Sequence, residues 1–373
     1  MATLRESISA RRTGFRARAG RGRPQRMPFR IETLADIATH GFDAVIDVRS
    51  PAEFAEDHLP GAISLPALSD AERAAVGTIY KQDSPFRARK IGAAMVARNV
   101  AGHLDGPLAG MDGGWRPLVY CWRGGQRSGS VATILRAVGW RVETVDGGYR
   151  SFRRAVVRVL YDTPFPARAV LLDGNTGTAK TAVLARLKAR GALVIDLEGL
   201  ARHRGSRLGG MGGQPTQKAF ETAVAMAVAA LDPARPVVIE AESSKVGDLI
   251  VPPSVWKAMV AAERIELAAP VAARAAYLAR AYADLTADAE ALAEALAALH
   301  AMQGAERVAA WQALARGGRY EELAGALCEA HYDPRYEKHR ARWDRAPVAR
   351  LEAGVLDEAG IEALAEGVLS ALR

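Results

Sequence analysis

Two strand–loop–helix units with glycine-rich loops constrain the fold of this chain more than any other feature. In the first unit, the apolar run 117–120 precedes Cys121 and a Gly-Gly pair, and a helical pattern follows from Ser128. In the second, the apolar run 168–173 leads into a glycine-rich turn and a helical pattern from Thr181. Because a strand that returns through a helix pairs in parallel with its neighbour, these units predict an α/β protein with parallel sheets.

The chain is long enough for two such regions. Its 373 residues exceed what one hydrophobic core usually organises, and Pro164 and Pro166 mark a joint. We predict a tail at 1–26, a parallel-sheet domain at 27–160, and an α/β domain at 167–373 with an alanine-rich, helical C-terminal part. Two cysteines are too few for a disulfide framework, and no apolar run is long enough to span a bilayer, so we expect a cytoplasmic protein without a membrane segment.

The N-terminal tail carries almost all of the formal net charge of +8. Residues 1–26 hold eight arginines, no lysine and a single acidic residue. The remainder of the chain is therefore close to neutral, and the basic composition does not by itself indicate a binding face on the folded part. Three interpretations fit the tail: a disordered nucleic-acid arm, a targeting extension, or sequence upstream of a true start at Met27, where the globular pattern begins.

The loop Cys-Trp-Arg-Gly-Gly-Gln-Arg-Ser, which begins at Cys121, joins a predicted strand to a predicted helix. Glycines let successive backbone N–H groups turn inward, and a helix N-terminus adds partial positive charge, so the loop predicts a nest for an anion or a thiolate. Cys121 is the candidate catalytic residue because positive surroundings lower the pKa of a thiol. A chemically silent core cysteine is the alternative. The candidate anion cradle consists of Arg123, Gly124, Gly125, Gln126, Arg127 and Ser128.

The spacing of this loop leaves a second activity open. Five residues separate Cys121 from Arg127, which is also the loop length of cysteine-dependent phosphatases. A loop of that length is wide enough for a tetrahedral anion, so phosphatase activity is an alternative. A substrate such as selenophosphate or thiophosphate would combine a tetrahedral anion with a transferable chalcogen.

The sequence Gly-Asn-Thr-Gly-Thr-Ala-Lys-Thr at 174–181 has the strand-to-helix context of a P-loop. Backbone N–H groups of such a loop surround phosphates, Lys180 would neutralise the terminal one, and Thr181 could reach a magnesium ion. Ala179 replaces the usual glycine, which favours diphosphate binding over nucleotide hydrolysis. Glu240 and Glu242 follow a later strand and are candidates for an acid or a magnesium ligand; we predict no structural metal site. The candidate diphosphate-binding residues are Gly174, Asn175, Thr176, Gly177, Lys180 and Thr181.

The segment 47–54, Asp-Val-Arg-Ser-Pro-Ala-Glu-Phe, with His-Leu-Pro-Gly-Ala-Ile shortly after it, resembles the front half of rhodanese domains. In that family the acidic and arginine positions brace the active loop. The resemblance implies that Asp47, Arg49 and Glu53 support the loop. It also implies that Cys121 is the persulfide-forming cysteine.

A rhodanese domain followed by a P-loop domain resembles the tRNA 2-selenouridine synthase family. The resemblance implies that selenium from selenophosphate replaces sulfur in the 2-thiouridine at the wobble position of certain tRNAs. It further implies that a geranyl group from geranyl diphosphate is first attached to that sulfur, and that no cofactor is tightly bound. Segments that carry the resemblance are 76–82, 84–86, 146–150, 196–201, 203–206 and 331–336.

Closely spaced cationic side chains just after the 196–201 segment suit contacts with RNA phosphates, although a solvated loop is the alternative. Ser243-Ser244-Lys245 departs from the Ser-Arg-Arg expected in the family, which removes a bidentate arginine contact. A generic persulfide sulfurtransferase and a non-catalytic tRNA-binding protein remain alternative functions. Cys328 has the helical spacing of a buried residue. The candidate tRNA contacts are Arg202, His203, Arg204 and Ser206.

Overall fold

The computed structural model describes residues 27–204, 213–340 and 346–373. The basic tail at 1–26 and the candidate contact Ser206 lie outside the described residues. Within the described ranges, every helix is too short or too polar to cross a membrane.

The first α/β region is built on a parallel sheet. Its elements are α1 (Ala35–Ala38), β1 (Ala44–Asp47), α2 (Pro51–Glu56), β2 (Ala62–Ser64), α3 (Asp70–Gln82), α4 (Pro85–Asp105), β3 (Pro117–Tyr120), α5 (Gln126–Val138), β4 (Glu143–Thr144) and α6 (Tyr149–Val157). The strands pair in parallel in the order β2-β1-β3-β4. All four residues of β3 are buried, as expected of a central strand covered by helices. The Cys121 loop therefore begins at the carboxyl end of a central strand.

Local capping signals define helix starts in this region. In α3, the Ser69 hydroxyl accepts a hydrogen bond from the N–H of Glu72 at 3.2 Å, and the Glu72 carboxylate accepts one from the N–H of Ser69 at 2.9 Å. Such reciprocal bonds satisfy N–H groups that the first helical turn leaves free. At the start of α2, the Glu53 carboxylate similarly accepts from the N–H of Ser50 at 3.1 Å. This bond fixes Glu53 beside the Cys121 loop.

The second α/β region contains a larger parallel sheet and a helical layer. Its elements, after a π-helical turn at Arg158–Asp162, are β5 (Ala169–Gly174), α7 (Lys180–Ala189), β6 (Leu193–Ile195), α8 (Leu197–Ala201), α9 (Gln217–Ala229), β7 (Val237–Glu240), β8 (Lys245–Val246), β9 (Leu249–Ile250), α10 (Pro253–Ala261), β10 (Glu263–Ala268), α11 (Val271–Ala281), α12 (Ala283–Thr286), α13 (Ala289–Ala297), α14 (His300–Gln303), α15 (Ala305–Arg316), α16 (Tyr320–Leu327), a second π-helical turn at Cys328–Tyr332, α17 (Asp333–Arg340), β11 (Ala349–Glu352) and α18 (Glu358–Ala371).

The order of this sheet is β11-β10-β5-β7-β6, with all neighbours parallel, and β8 and β9 form a separate antiparallel hairpin. The predicted α/β class with a helical C-terminal part is thus confirmed. One element differs from the sequence expectation, because β11 follows the helical layer and returns to the sheet as its edge strand. Its four residues, Ala-Arg-Leu-Glu, are too few to give a clear strand signal.

The two regions share a hydrophobic core. Phe152 of α6 and Phe220 of α9 are fully buried members of one cluster. Between the same helices, the buried Asp57 carboxylate accepts hydrogen bonds from the Tyr149 hydroxyl at 2.6 Å and from the Thr222 hydroxyl at 2.9 Å. Because α6 begins beside the Cys121 loop, the second region helps to hold that loop in place.

Candidate functional site

Cys121 lies at the end of β3 with 4% of its surface exposed. Its Sγ is 3.2 Å from the Ser128 hydroxyl. Burial by itself raises the pKa of the Cys121 thiol. Hydrogen bonds from the Ser128 hydroxyl and from the backbone N–H groups of Ser128, Arg123 and Gly125 outweigh that effect, so the pKa lies below the ordinary thiol value. The loop therefore stabilises a thiolate, which is the nucleophilic form of cysteine.

Two glycines, Gly124 in the loop and Gly148 outside it, allow the backbone segments around Cys121 to pack closely. Gly148 has a φ of +58°, and a Cβ there would overlap the carbonyl oxygen of Cys121. Gly124, at a φ of +67°, would likewise press a Cβ against the carbonyl oxygen of Val145, 2.6 Å away. The N–H of Tyr149 donates to the Cys121 carbonyl oxygen at 2.8 Å. Gly148 and Tyr149 are thus structural supports that the sequence-based residue set missed, although they lie in the shared segment 146–150.

The predicted supporting residues meet around this loop. Arg49 forms a buried ion pair with Asp47 at 2.7 Å and donates to the carbonyl oxygen of Asp57 at 2.5 Å. Its guanidinium carbon lies 4.1 Å from the centroid of the Tyr149 ring and 6.0 Å from that of Trp122. This stack ties the segment after β1 to the residue that follows Cys121.

The residues predicted as an anion cradle divide into two groups. The backbone of Arg123, Gly125 and Ser128 faces the sulfur, whereas the Arg123 and Gln126 side chains are exposed. The Arg127 guanidinium donates to the Glu53 carboxylate at 2.6 Å. Arg127 therefore braces the start of α2 in this structure, and the cradle consists mainly of backbone N–H groups.

The predicted phosphate loop, residues 174–181, connects β5 to α7 and is called the phosphate loop below. The Lys180 ammonium donates to the carbonyl oxygen of Gly174 at 2.9 Å and lies 5.7 Å from the centroid of the Tyr336 ring. Ala179 takes a φ of +62°, the left-handed conformation that glycine adopts without strain. For alanine this conformation costs about 1 kcal/mol. The loop therefore keeps its P-loop turn despite the missing glycine.

Three carboxylates face Lys180 across this site. Oxygen atoms of Glu198, Glu240 and Glu242 lie within 4.8 Å of one another. Glu240 is fully buried, and neither carboxylate oxygen has a hydrogen-bond partner among the described residues. Burial, together with the neighbouring carboxylates, raises the pKa of Glu240 well above its ordinary value and that of Glu242 to about 8.

This carboxylate cluster attracts positive charge. Burial by itself lowers the pKa of Lys180, but Tyr336 and the three glutamates outweigh that effect and raise it. An oxygen-rich cluster with an unpartnered buried carboxylate suits a hard divalent cation such as Mg²⁺. The Thr181 hydroxyl, 3.5 Å from a Glu198 oxygen, could complete such a site. Glu198 was missed as a site residue because it lies on a short helix far from the loop in sequence.

A buried ion pair from the helical layer supports the phosphate loop. Arg274 of α11 contacts Asp333 of α17 at 2.7 and 2.9 Å and donates to the carbonyl oxygen of Thr176 at 3.1 Å. The Asn175 amide donates to the same Asp333 carboxylate at 2.8 Å. Cys328 is buried nearby, as predicted, and burial raises its pKa to about 11. No sequence pattern near residue 175 indicates these distant partners.

The candidate tRNA contacts lie on one side of the phosphate loop. His203 and Arg204 line a cavity of about 270 Å³ together with Lys180 and Thr181. Arg204 forms an ion pair with Asp284 at 2.9 Å. Arg202 is exposed, with a φ of +49°. The structure therefore places His203 and Arg204 in the same cavity as Lys180 and Thr181 of the predicted phosphate loop.

An apolar pocket adjoins this cavity. The two hollows share Thr176, Leu278 and Tyr282. Leu292, Leu323, Ala324 and Leu327 are among the other pocket-lining residues, which come mainly from α11, α12 and α16. The phosphate loop thus opens onto a hydrocarbon-lined space in the helical layer.

Comparison with known proteins identifies both regions. Residues 167–357 match the family model described as the tRNA 2-selenouridine synthase AAA domain, and residues 31–155 match the rhodanese-like domain. A crystal structure of the N-terminal domain of a putative ATP/GTP binding protein from Clostridium difficile 630 is 32% identical and covers 35% of this chain and 99% of that one, with a TM-score of 0.30. A TM-score that low says nothing about the fold of the whole chain.

Two relatives described as tRNA 2-selenouridine synthase show the extent of the match. The protein from Nitrosomonas europaea is 36% identical over 62% of this chain and 61% of its own length. The protein from Aeromonas salmonicida is 35% identical over 68% of each chain. The match thus spans about three fifths of the first of these relatives and two thirds of the second. With its rhodanese loop, its P-loop and these matches, the chain belongs to the tRNA 2-selenouridine synthase family.

Proposed function

We propose that this protein is a tRNA-modifying transferase that replaces sulfur by selenium in wobble-position 2-thiouridine, with selenophosphate as donor. In this proposal, the sulfur is first geranylated from geranyl diphosphate. The observation that carries the proposal is a phosphate loop that opens onto an apolar pocket, in a chain that also stabilises a thiolate at Cys121. A diphosphate with a hydrocarbon tail would place its diphosphate in the cavity at the phosphate loop and its tail in the adjoining apolar pocket.

For geranylation, the sulfur of 2-thiouridine attacks C1 of the geranyl group. The C–O bond to the diphosphate breaks, the diphosphate leaves with the bonding electrons, and the thiouridine ring loses its N3 proton. Lys180 and the loop N–H groups would stabilise the departing charge, and Mg²⁺ held by the carboxylate cluster would add to this effect. The geranyl chain would lie against Leu278 and the other apolar residues of the neighbouring pocket.

For selenation, Cys121 serves as the nucleophile or the chalcogen carrier. Its sulfur is surrounded by N–H donors, which suit an anionic sulfur or selenium atom. S-geranylation turns the original sulfur into a better leaving group. The selenium of selenophosphate bonds to C2 of the base, and the C2–S bond breaks with release of geranylthiolate. Water then cleaves the Se–P bond, which releases phosphate and leaves selenium on C2. Arg127 is engaged by Glu53, which speaks against a phosphatase that needs this arginine on its phosphate.

The direct test uses purified protein, selenophosphate, geranyl diphosphate and thiolated tRNA, with nucleosides analysed by mass spectrometry. We expect 2-selenouridine from the wild type, and we expect Cys121→Ser to stop selenation while S-geranyl-2-thiouridine still forms. The matched control is Cys328→Ser, which changes the other cysteine and should leave both products. Folded wild-type protein that forms neither product would refute the proposal. Sulfur transfer from thiosulfate to cyanide without any tRNA product would instead favour the generic sulfurtransferase.

A further inference from the structure

Helix α6 and the π-helical turn that continues it carry a row of exposed arginines on the side that faces away from the core. Arg150, Arg154 and Arg158 follow one another at intervals of four residues and are all exposed. The opposite side of the helix is buried through Phe152 and Val156. Four helical residues rise about 6 Å, so the three side chains leave the helix at regular intervals along one side. We call these three residues the arginine ridge.

The ridge lacks carboxylate partners. Among the described residues, no carboxylate forms an ion pair with Arg150, Arg154 or Arg158, and Arg158 donates only to the backbone carbonyl oxygen of Glu32 at 3.3 Å. Arg153, on the same helix but facing the second region, is by contrast paired with Glu221. Like charges four residues apart destabilise a helix, so a row of three without partners suits an external anion.

The ridge leads to the thiolate loop. A cavity of about 460 Å³ is lined by the three ridge arginines together with Trp122, which directly follows Cys121. Lys218 of α9 adds a cation from the second region, and Asp162 adds a carboxylate to the lining. The N–H of Arg150 donates to the carbonyl oxygen of Trp122 at 3.1 Å, so the ridge and the loop are directly connected.

We propose that the arginine ridge binds the phosphate backbone of the RNA strand whose base reacts at Cys121, with Trp122 available for stacking against a base. This inference rests on the proposed function and names the surface on which its tRNA lies. The regular spacing of the guanidinium groups suits successive phosphates of one strand, and an aromatic ring beside cations is a common combination in sites for unpaired nucleotides. The candidate contacts Arg202, His203 and Arg204 lie instead beside the phosphate loop.

The test measures binding of thiolated tRNA to the full chain at several salt concentrations. The variant Arg150→Ala/Arg154→Ala/Arg158→Ala should bind at least about 10-fold more weakly, and its log affinity should fall less steeply with log salt, by about 2 slope units. The matched control is Arg89→Ala/Lys90→Ala/Arg98→Ala, which removes three exposed cations from α4. This control variant should bind within about 3-fold of the wild type, because a lower net charge slows association but removes no contact with the RNA phosphates.

The outcomes separate this inference from the proposed function. If both triple variants weaken binding equally, or if the ridge variant binds as the wild type does, the ridge is not the RNA surface, while the proposed reaction stands. If the wild type itself binds no tRNA, both proposals fail. The rate of Cys121 alkylation in the ridge variant should equal that of the wild type, which shows that the thiolate loop is still folded. A slower rate would mean that α6 acts by supporting the loop, and would overturn the binding role.

Discussion

The two candidate anion sites of this protein are assembled in different ways. The Cys121 loop stabilises negative charge with N–H groups and a hydroxyl from residues 121–128, so nearly all of its donors come from one short segment. The Lys180 site combines its loop with glutamates, an arginine and a tyrosine that lie up to about 160 residues away in sequence. In the first site, neutral hydrogen-bond donors stabilise the negative charge of the thiolate. In the second, cationic side chains lie against acidic ones.

This difference predicts how each site responds to change. A loop of backbone donors loses little when one side chain is replaced, because most of its hydrogen bonds remain. A cluster of partly buried titratable groups depends on each member, because removing one leaves its partners uncompensated in a poorly solvated place. We therefore expect the second site to be the more fragile of the two.

The largest effect is expected at Lys180. Lys180→Met removes the partly buried cation beside three carboxylates, and we expect it to lower the free energy of unfolding by roughly 2 kcal/mol and to abolish measurable binding of inorganic diphosphate. Thermal unfolding and calorimetric titration measure these quantities. The control is Lys188→Met on the same helix, an exposed position that should change stability by less than about 0.5 kcal/mol. Equal effects of the two substitutions would contradict the charge-balanced description of this site.

The two cysteines give the next largest contrast. The pKa of Cys121 is lowered, whereas that of Cys328 is raised to about 11, so at neutral pH the thiolate fraction of Cys121 should exceed that of Cys328 by at least about 100-fold. Because the folded state holds Cys121 as thiolate at lower pH, its alkylation should level off at a lower pH than that of Cys328, which should still be rising at pH 9. Mass spectrometry of iodoacetamide-treated protein from pH 6 to 9 measures both rates. Similar alkylation rates for Cys121 and Cys328 in native protein would contradict the difference in pKa. In unfolded protein, which serves as the control, the two alkylation rates should become similar.

The apolar pocket should show a smaller and more selective effect. Ala324→Phe fills the pocket beside the phosphate loop, and loss of about two buried methylene groups of a geranyl chain should weaken geranyl diphosphate about 10-fold. Inorganic diphosphate is the matched ligand, and its affinity should not change. Competition binding with both ligands tests this, and an equal loss for the two would mean that the substitution disturbs the loop rather than the pocket.

The smallest effect is expected at Ala179. Ala179→Gly relieves the strain of the left-handed φ and should stabilise the protein by about 1 kcal/mol, which raises the melting temperature by a few degrees. The control Ala182→Gly, inside α7, should change stability by a similar amount in the opposite direction, because glycine weakens a helix interior. Two changes of the same sign would show that the φ of Ala179 carries no strain.

Sequence reasoning identified the parts of each site that are contiguous in the chain. Cys121 and Lys180 each lie where a buried strand leads through a glycine-rich loop into a helix, and both contexts are visible in the printed sequence. Glu198, Arg274 and Tyr336 could not be assigned to the phosphate site, because nothing near them shows which loop they will approach. Arg127 shows the opposite case. Its spacing from Cys121 predicted a side chain that faces a bound anion, whereas in the structure its guanidinium donates to the Glu53 carboxylate.

What the sequence alone determined is the α/β class, the order of its two regions and the position of each glycine-rich loop. These features follow from hydrophobic periodicity and from torsion angles that only certain residues adopt easily, and both are local properties. The tertiary structure decided which distant charges meet at Lys180, that an apolar pocket adjoins the phosphate loop, and that the arginine ridge leads to Trp122. Those arrangements depend on how helices pack against the two sheets, which the residues of any single segment do not encode.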